Sequence, residues 1–218
     1  MFTRIADNRE NRSLSVKLRR KRFALFLSLI SGLERPVHIL DIGGTESFWR
    51  MMELDPSSQV IVTLLNLTES QVTLPNITSI TGDARSLNMS ERSFEVVFSN
   101  SVIEHLGAYN DQLRMASEVR RVGKRYFIQT PNRFFPLEPH FLFPFFQFLP
   151  IKIRVWLIQN FNLGWIRRTP DLPKAMAIVE SIRLLDKNEF ASLFPGAAIH
   201  EEKVLGLTKS FVAVGGWD

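Results

Sequence analysis

The feature that most constrains this fold is a series of short apolar segments, each ending in a polar residue or a glycine. Such segments predict fully buried strands of a parallel sheet. Five of them lie at residues 37–42, 59–65, 77–81, 94–99 and 124–130. Helical spacing is found between them at 47–54 and 110–122. Strands that alternate with helices in this way indicate an α/β fold with a doubly wound, Rossmann-like sheet.

The rest of the chain completes a single predicted domain over residues 1–218. Within the N-terminal segment 1–35, residues 13–31 predict a helix that changes from basic to apolar. Residues 131–173 contain seven of the 11 prolines, and we predict a lid-like insertion over the mouth of the sheet, with a short helix at 151–161. The last predicted elements are a helix and two antiparallel strands, at 187–194, 197–204 and 209–214.

Polar side chains stand at the ends of four predicted strands: Asp41, Asn66, Asp83 and Asn100. In doubly wound sheets, ligands bind outside the carboxyl ends of the strands. We therefore expect these four side chains to face one binding site.

The turn Gly43-Gly44-Thr45-Glu46 follows the first strand. Dinucleotide-binding turns need G-x-G-x-x-G because a pyrophosphate rests on bare backbone amides, and only the first glycine of that pattern is matched. Glu46 would also repel a phosphate. S-adenosylmethionine carries an ammonium and a sulfonium and no phosphate, so Asp41 and Glu46 suit its amino-acid end. A plain tight strand-to-helix turn is the alternative.

Two later strand ends suit a nucleoside. Asn66 lies 23 residues after Gly43, where a ribose-binding side chain is expected. Asp83 can accept a hydrogen bond from an adenine amino group while the Ala84 amide donates to the ring. Asp83 could instead cap a helix that follows it.

Four stretches of the chain together resemble the class I S-adenosylmethionine-dependent methyltransferases, in particular the UbiE and Methyltransf_11-type branch. They are the residues 37–45, 82–84, 94–106 and 185–214. The resemblance implies a seven-stranded sheet of order 3-2-1-4-5-7-6, with S-adenosylmethionine as methyl donor and S-adenosylhomocysteine as product.

The resemblance also implies which residues contact the cofactor. They are Asp41, Gly43, Thr45, Asn66, Asp83, Ala84 and Asn100, and we add their neighbours Gly44, Glu46, Leu67 and Ser101. Two features depart from the family pattern. Thr45 and Ser47 stand where later glycines are usual, and Asn66 replaces the usual acid.

Methyl transfer needs a general base when the nucleophile must lose a proton. His105 follows the fourth strand, and His140 lies in the insertion beside Glu138, so these three are the candidate catalytic residues. A structural role in orienting a loop is the alternative for each histidine. The chain has no cysteine, which excludes a thiol nucleophile and thiolate ligands, and we predict no metal site. His38 is predicted to be a core residue and His200 a surface residue.

The charge distribution favours a small-molecule or lipid-like acceptor over nucleic acid. Residues 1–22 hold eight of the 27 basic residues, and the remainder is nearly neutral, with 19 basic and 20 acidic residues. The basic run predicts either a solvated helix start or a surface that attracts anionic partners. With the mixed cationic and apolar segment 151–157, it allows peripheral contact with a membrane. We expect a cytoplasmic protein, with any such contact at the inner membrane face.

Seven phenylalanines lie within residues 134–148 of the insertion. They predict a satellite core under a long loop, an apolar acceptor pocket or a membrane contact. Two other functions stay open for the whole chain: an NAD-linked Rossmann oxidoreductase, and a catalytically silent methyltransferase-like scaffold.

Overall fold

The computed structural model describes residues 14–217. The basic residues Arg4, Arg9 and Arg12 of the predicted N-terminal run lie outside this range. The described helices are α1 Leu14–Ile30, α2 Glu46–Met51, α3 Tyr109–Val122, α4 Ile151–Asn160, α5 Leu172–Glu180 and α6 Lys187–Leu193. The strands are β1 Val37–Ile42, β2 Val60–Asn66, β3 Ile77–Thr81, β4 Phe94–Asn100, β5 Gly123–Pro131, β6 Leu137–Glu138, β7 Phe143–Pro144, β8 Ala198–Val204 and β9 Leu207–Gly215.

Seven strands form one sheet in the order β3-β2-β1-β4-β5-β9-β8. The first five are mutually parallel, while β9 is antiparallel to both β5 and β8. Strands β6 and β7 form a separate pair in the insertion. When that pair is left out of the numbering, the order is the predicted 3-2-1-4-5-7-6, so the predicted fold class is confirmed.

Strands β1, β2, β4 and β5 are largely buried on both faces, which explains their continuous hydrophobic sequences. On one face α1 and α2 contribute Phe26 and Trp49, which pack against Phe98 and Phe127 of the sheet. On the other face α3 and α6 contribute side chains such as Met115, Val119, Phe190 and Leu193. The two layers hold the carboxyl ends of β1, β2, β4 and β5 at one edge.

The insertion has a core of its own. Phe141 and Phe146 stack with ring centroids 4.0 Å apart and pack with residues of α4 and α5. Phe143 packs against the same cluster, so the satellite-core interpretation holds for these three rings. Phe134 and Phe145 instead remain 62% and 55% exposed.

Two local expectations differ from the structure. Helix α5 was not predicted, although Asp171 caps its first turn by accepting from the Lys174 amide at 2.9 Å. His38 is exposed rather than part of the core. It occupies the second position of β1, near the edge of the sheet opposite the strand ends, where its amide donates to Glu95.

Candidate functional site

The turn after β1 leaves no room for side chains. Gly43 has a φ of +73°, and a Cβ there would lie 2.4 Å from Val102 Cγ2. A Cβ at Gly44 would lie 1.8 Å from Asp41 Oδ2. The Gly43 amide donates to the Leu65 carbonyl at 2.8 Å and ties the turn to β2. Close approach of the backbone therefore requires glycine at both positions.

Asp41 lies beneath this turn with 1% of its surface exposed, and its Oδ2 accepts a hydrogen bond from Trp49 Nε1 at 2.8 Å. Burial raises the pKa of Asp41 to about 8, although the bond from Trp49 acts in the opposite direction. The carboxyl group is therefore mostly protonated at neutral pH in the free protein. The negative charge expected to face an ammonium is absent in this state, and Asp41 supports the turn instead.

Glu46 begins α2, but its carboxylate binds the connection between β2 and β3. It accepts hydrogen bonds from the Thr73 amide and from Thr73 Oγ1 (2.8 Å), and it pairs with Arg50 Nε at 2.6 Å. The Thr73 backbone bond, with the bonds from Arg50 and the Thr73 hydroxyl, lowers the pKa of Glu46 to about 2. The expectation that Glu46 faces a cationic ligand is therefore not supported, because Arg50 already neutralises its charge.

Asn66, at the end of β2, also contributes to the turn. Its Nδ2 donates to the Gly44 carbonyl at 3.0 Å, so the amide that replaces the usual acid helps to fix the turn backbone. Leu67, the next residue, is 76% exposed.

Asp83 does not cap a helix. Its Oδ1 accepts from the Arg85 amide at 2.9 Å, its Oδ2 accepts from Arg85 Nη2 at 2.6 Å, and the Ser86 amide closes a turn onto the Asp83 carbonyl. These bonds from Arg85 lower the pKa of Asp83. The helix-cap alternative is therefore wrong, and the side chain stabilises an Asx-type turn. Ala84 beside it is 7% exposed.

Part of the basic N-terminal helix covers the strand ends. Arg22 is only 8% exposed, pairs with Glu202 of β8 through Nε–Oε1 at 2.8 Å, and donates to Asn100 Oδ1 at the end of β4. Arg19 lies one turn earlier and is half-buried. The picture of a solvated helix start is wrong for Arg22, because its partner lies 180 residues away in the sequence.

Two neighbouring cavities open at this edge. The turn cavity, of about 160 Å³, is lined by the residues 43–45 with Asp41, Arg19 and Asn100. The cation cavity, of about 230 Å³, lies between α1, the end of β5, the start of β9 and the insertion, and Arg19 and Arg22 line it. Five of the predicted cofactor residues therefore meet in one cavity: Asp41, Gly43, Gly44, Thr45 and Asn100. Ser101 lines the second cavity, whereas Glu46, Asn66, Leu67, Asp83 and Ala84 line neither.

The candidate catalytic residues lie together. His140 Nδ1 contacts Glu138 Oε1 at 2.7 Å, and Glu138 Oε2 accepts from the His140 and Phe141 amides at 2.7 Å each. Glu138 is 2% exposed, so this bond to the ring is shielded from water. The His105 and His140 rings meet edge to face, with centroids 4.7 Å apart. Of the two histidines, only His140 lines the cation cavity.

The pKa values of the two histidine rings are shifted in opposite directions. Burial alone would lower the pKa of His140, but the hydrogen bond and charge of Glu138, with the charge of Glu104, outweigh it and raise that pKa. Burial lowers the pKa of His105 to about 4, and the neighbouring His140 adds to the effect. At neutral pH, His105 is therefore neutral, and His140 is the ring that can exchange a proton.

Among residues 14–217, one group of side chains has the atom types and spacing to hold a metal ion. It consists of Glu104, His105 and His140, whose candidate ligand atoms lie within 4.8 Å of one another. Glu104 is fully buried, and its Oε2 accepts from Thr130 Oγ1 at 3.0 Å. Burial raises the pKa of Glu104 to about 7, which makes it a weaker cation ligand at neutral pH. The absence of a metal from this protein stays a prediction.

A family comparison agrees with this geometry. Residues 37–126 match the Methyltransf_11 model, described as a methyltransferase domain. Over 67 residues, the chain is 39% identical to the uncharacterized proteins Rv1509 and MT1557 of two Mycobacterium tuberculosis strains. That alignment covers 31% of this chain and 23% of each relative, so the chain spans about a quarter of the curated relatives it matches.

Solved structures share the whole fold at low sequence identity. A SAM-dependent methyltransferase from Aquifex aeolicus is similar with a TM-score of 0.52 and 12% identity, over 93% of this chain and 92% of that one. The PH0226 protein from Pyrococcus horikoshii OT3 is similar with a TM-score of 0.54 and 16% identity, over 94% of this chain and 92% of that one. The CurJ carbon methyltransferase is similar with a TM-score of 0.60 and 13% identity, over 97% of this chain and 56% of that one.

The residues that sequence reasoning missed are the cations of the two cavities, Arg19, Arg22 and Lys209. The only signal for the first two was the basic run of the N-terminal helix, and nothing in the sequence placed Lys209 beside them.

The matched segment contains the glycine turn, the ends of the first four strands and His105, and the whole sheet has the topology that the resemblance implies. Residues 37–126 are therefore similar to the Methyltransf_11 methyltransferase domain, and the described sheet has the fold of solved structures that include a SAM-dependent methyltransferase.

Proposed function

We propose that this protein transfers a methyl group from S-adenosylmethionine to a small-molecule or lipid-like acceptor. The observation that carries the proposal is the turn cavity, where the bare backbone of Gly43 and Gly44 meets Arg19 and Asn100 at the carboxyl edge of the sheet. When bound there, S-adenosylmethionine supplies an electrophilic methyl group. The protein would align the acceptor in line with it, which accounts for much of the catalysis of such a displacement.

The residues of the turn cavity fit this cofactor. Arg19 has no carboxylate partner among residues 14–217, and its guanidinium suits the carboxylate of the amino-acid end. The backbone of the turn can approach the ligand because both glycines lack a side chain. Asn66 and the Asp83–Ala84 turn would hold the ribose and the adenine farther along the edge, as the family resemblance implies.

A pyrophosphate fits the same turn less well. The Phe48 amide in the first turn of α2 already donates to Thr45 Oγ1 at 3.3 Å and to the Thr45 carbonyl at 3.1 Å. Phosphate binding at a helix N-terminus needs such amides to be free. The helix start therefore offers one fewer free amide to a pyrophosphate, which favours the methyltransferase over the NAD-linked oxidoreductase.

For an acceptor that must lose a proton, we propose His140 as the general base and Glu138 as the residue that orients it. Glu138 holds Nδ1, which leaves Nε2 as the nitrogen that accepts the proton. Its buried charge also stabilises the imidazolium that forms. His105 meets this ring edge to face and would restrict its orientation.

Replacement of Gly44 tests cofactor binding. In Gly44→Ala the new Cβ would collide with Asp41 Oδ2. We expect affinity for S-adenosylhomocysteine to fall at least about tenfold, which is about 1.4 kcal/mol. Isothermal titration calorimetry measures this directly. Gly32→Ala is the matched control, because no atom lies within 4 Å of a Cβ there.

The same calorimetry decides between the three functions. Binding of S-adenosylhomocysteine by the unmodified protein supports the methyltransferase. Binding of neither S-adenosylhomocysteine nor S-adenosylmethionine would favour the scaffold, and a preference for NAD would favour the oxidoreductase.

The pH profile of methyl transfer tests the base. His140 must be neutral to act, and its pKa lies above the ordinary value, so kcat should rise as the pH rises through that pKa and then level off. Glu138→Gln removes the charge that raises the pKa, and we expect the rising limb to move to lower pH. His140→Gln should lower kcat about 100-fold or more.

Glu201→Gln is the control for Glu138→Gln, because Glu201 of β8 pairs with the exposed Lys187 and lines neither cavity. Its profile should match that of the unmodified protein. An unchanged profile in Glu138→Gln would rule out the His140–Glu138 pair as the base.

We also propose that the insertion contacts membrane surfaces, from which a lipid-like acceptor could be taken. Trp156 and Phe161 are 54% and 48% exposed, and their rings meet edge to face at 5.6 Å, next to the exposed Lys152. Exposed aromatic rings beside cations are typical of interfacial segments. None of the helices in residues 14–217 is long and apolar enough to cross a bilayer.

Sedimentation with anionic phosphatidylglycerol liposomes at low salt tests this contact. A buried aromatic side chain contributes about 1.5–3 kcal/mol, so the double variant Trp156→Ser, Phe161→Ser should lose most of the bound fraction. The control Leu205→Ser, at a 98% exposed position between β8 and β9, should keep its bound fraction. Failure of the unmodified protein to sediment would remove the proposal.

A further inference from the structure

The cation cavity contains more positive charge than the described protein neutralises. Among residues 14–217, its lining includes Arg19, Arg22 and Lys209 and no aspartate or glutamate. Glu202, at the end of Arg22, is the one carboxylate paired with these cations in the described range. Neither the Arg19 guanidinium nor the Lys209 ammonium has a hydrogen bond or an ion pair with a residue in 14–217. Three positive charges therefore face one negative charge.

This excess of charge is partly withdrawn from water. Arg22 is 8% exposed, and the exposures of Arg19 and Lys209 are intermediate. Burial and the nearby charge of Arg22 lower the pKa of both Arg19 and Lys209. Cations that are partly desolvated and lack partners are unfavourable, and an anion in the cavity relieves that cost.

The two unpaired cations are placed differently. Arg19 lines both cavities, so it can serve the carboxylate of a cofactor in the turn cavity. Lys209 lines the cation cavity and not the turn cavity. A cofactor carboxylate held by Arg19 would leave the charge of Lys209 uncompensated. A second anion in the cation cavity would compensate this charge.

The other residues that line the cation cavity indicate the chemistry of the rest of the ligand. Leu137, Leu142 and Trp165 supply apolar surface from the insertion. Gln129 also lines the cavity, and because its Oε1 accepts from Ser101 Oγ at 2.8 Å, its amide hydrogens are the groups that can face the ligand. His140 lines the same cavity. A ligand with an apolar body and an oxyanion would satisfy all of these groups.

We propose that the methyl acceptor is a small apolar molecule with a carboxylate or phosphate group, which Lys209 and Arg22 bind in the cation cavity. The inference rests on the proposed methyltransferase function and names its substrate class. The oxyanion would fix one end of the acceptor beneath α1, so that its nucleophilic atom is presented between His140 and the turn cavity.

Three probes of similar shape test this: benzoate, phenyl phosphate and neutral benzamide. Their binding is measured by calorimetry on the full chain with saturating S-adenosylhomocysteine, which supplies the cofactor's own carboxylate to Arg19. We expect at least one of the two oxyanion probes to bind at least about tenfold more tightly than benzamide. Its affinity should fall as the salt concentration rises.

Lys209→Met keeps the length of the side chain and removes its charge. It should reduce oxyanion affinity about tenfold or more and leave benzamide unchanged. Lys203→Met, on the neighbouring strand and 60% exposed, is the matched control and should change neither. The comparison of charged and neutral probes on the unmodified protein keeps the test decisive should Lys209→Met fail to fold.

Three results would overturn the inference. They are equal binding of the charged and neutral probes, unchanged oxyanion affinity in folded Lys209→Met, and displacement of the oxyanion by S-adenosylhomocysteine. The last result would assign all the cations to the cofactor's carboxylate. Failure of S-adenosylhomocysteine itself to bind is a separate result, and it would contradict the proposed function.

Discussion

The site depends on direct packing between the backbone after β1 and buried side chains. Asp41 fills the space under Gly44, and Val102 fills the space beside Gly43, so neither glycine can carry a Cβ. Trp49, itself buried in the core, fixes the Asp41 carboxyl group. Since the carboxyl group is largely neutral, it can stay buried without the cost of an isolated charge. The turn is thereby connected to the core of the sheet and kept open towards the ligand.

Helix α1 joins the same core to the charge of the site. Its Phe23 and Phe26 pack against the sheet, while Arg19 and Arg22 of the same helix lie over the strand ends. When the two phenylalanines pack against the sheet, the two arginines of the same helix are therefore held at the strand ends. This explains how a chain with a nearly neutral body can have a strongly positive cavity at the carboxyl edge of the sheet. The insertion closes the other side with its own small core and brings Glu138 and His140 to that cavity.

The strands and their order were predictable because buried parallel strands are continuous apolar runs and their connections follow known topological rules. That the glycine turn and Asn100 meet at one cavity was predictable because the carboxyl ends of neighbouring parallel strands lie at the same edge of the sheet. Ion pairs between side chains that are distant in the sequence were not predictable. The pairing of Arg22 with Glu202 depends on the tertiary fold.

The carboxylates were hardest to assign, because their roles depend on local hydrogen bonds that composition does not reveal. Glu46 has the right position for a ligand contact, yet Thr73 and Arg50 engage it. Asp83 likewise binds Arg85 two residues away. Asp41 is at the site, but its burial removes the charge on which the sequence argument relied.

A crystal structure of the protein with S-adenosylhomocysteine would show whether the turn cavity binds the cofactor. We expect density for the amino-acid end in the turn cavity, with its carboxylate on Arg19 and the Gly43–Gly44 backbone against the ligand. An empty turn cavity at saturating ligand, or a ligand bound elsewhere on the chain, would contradict it.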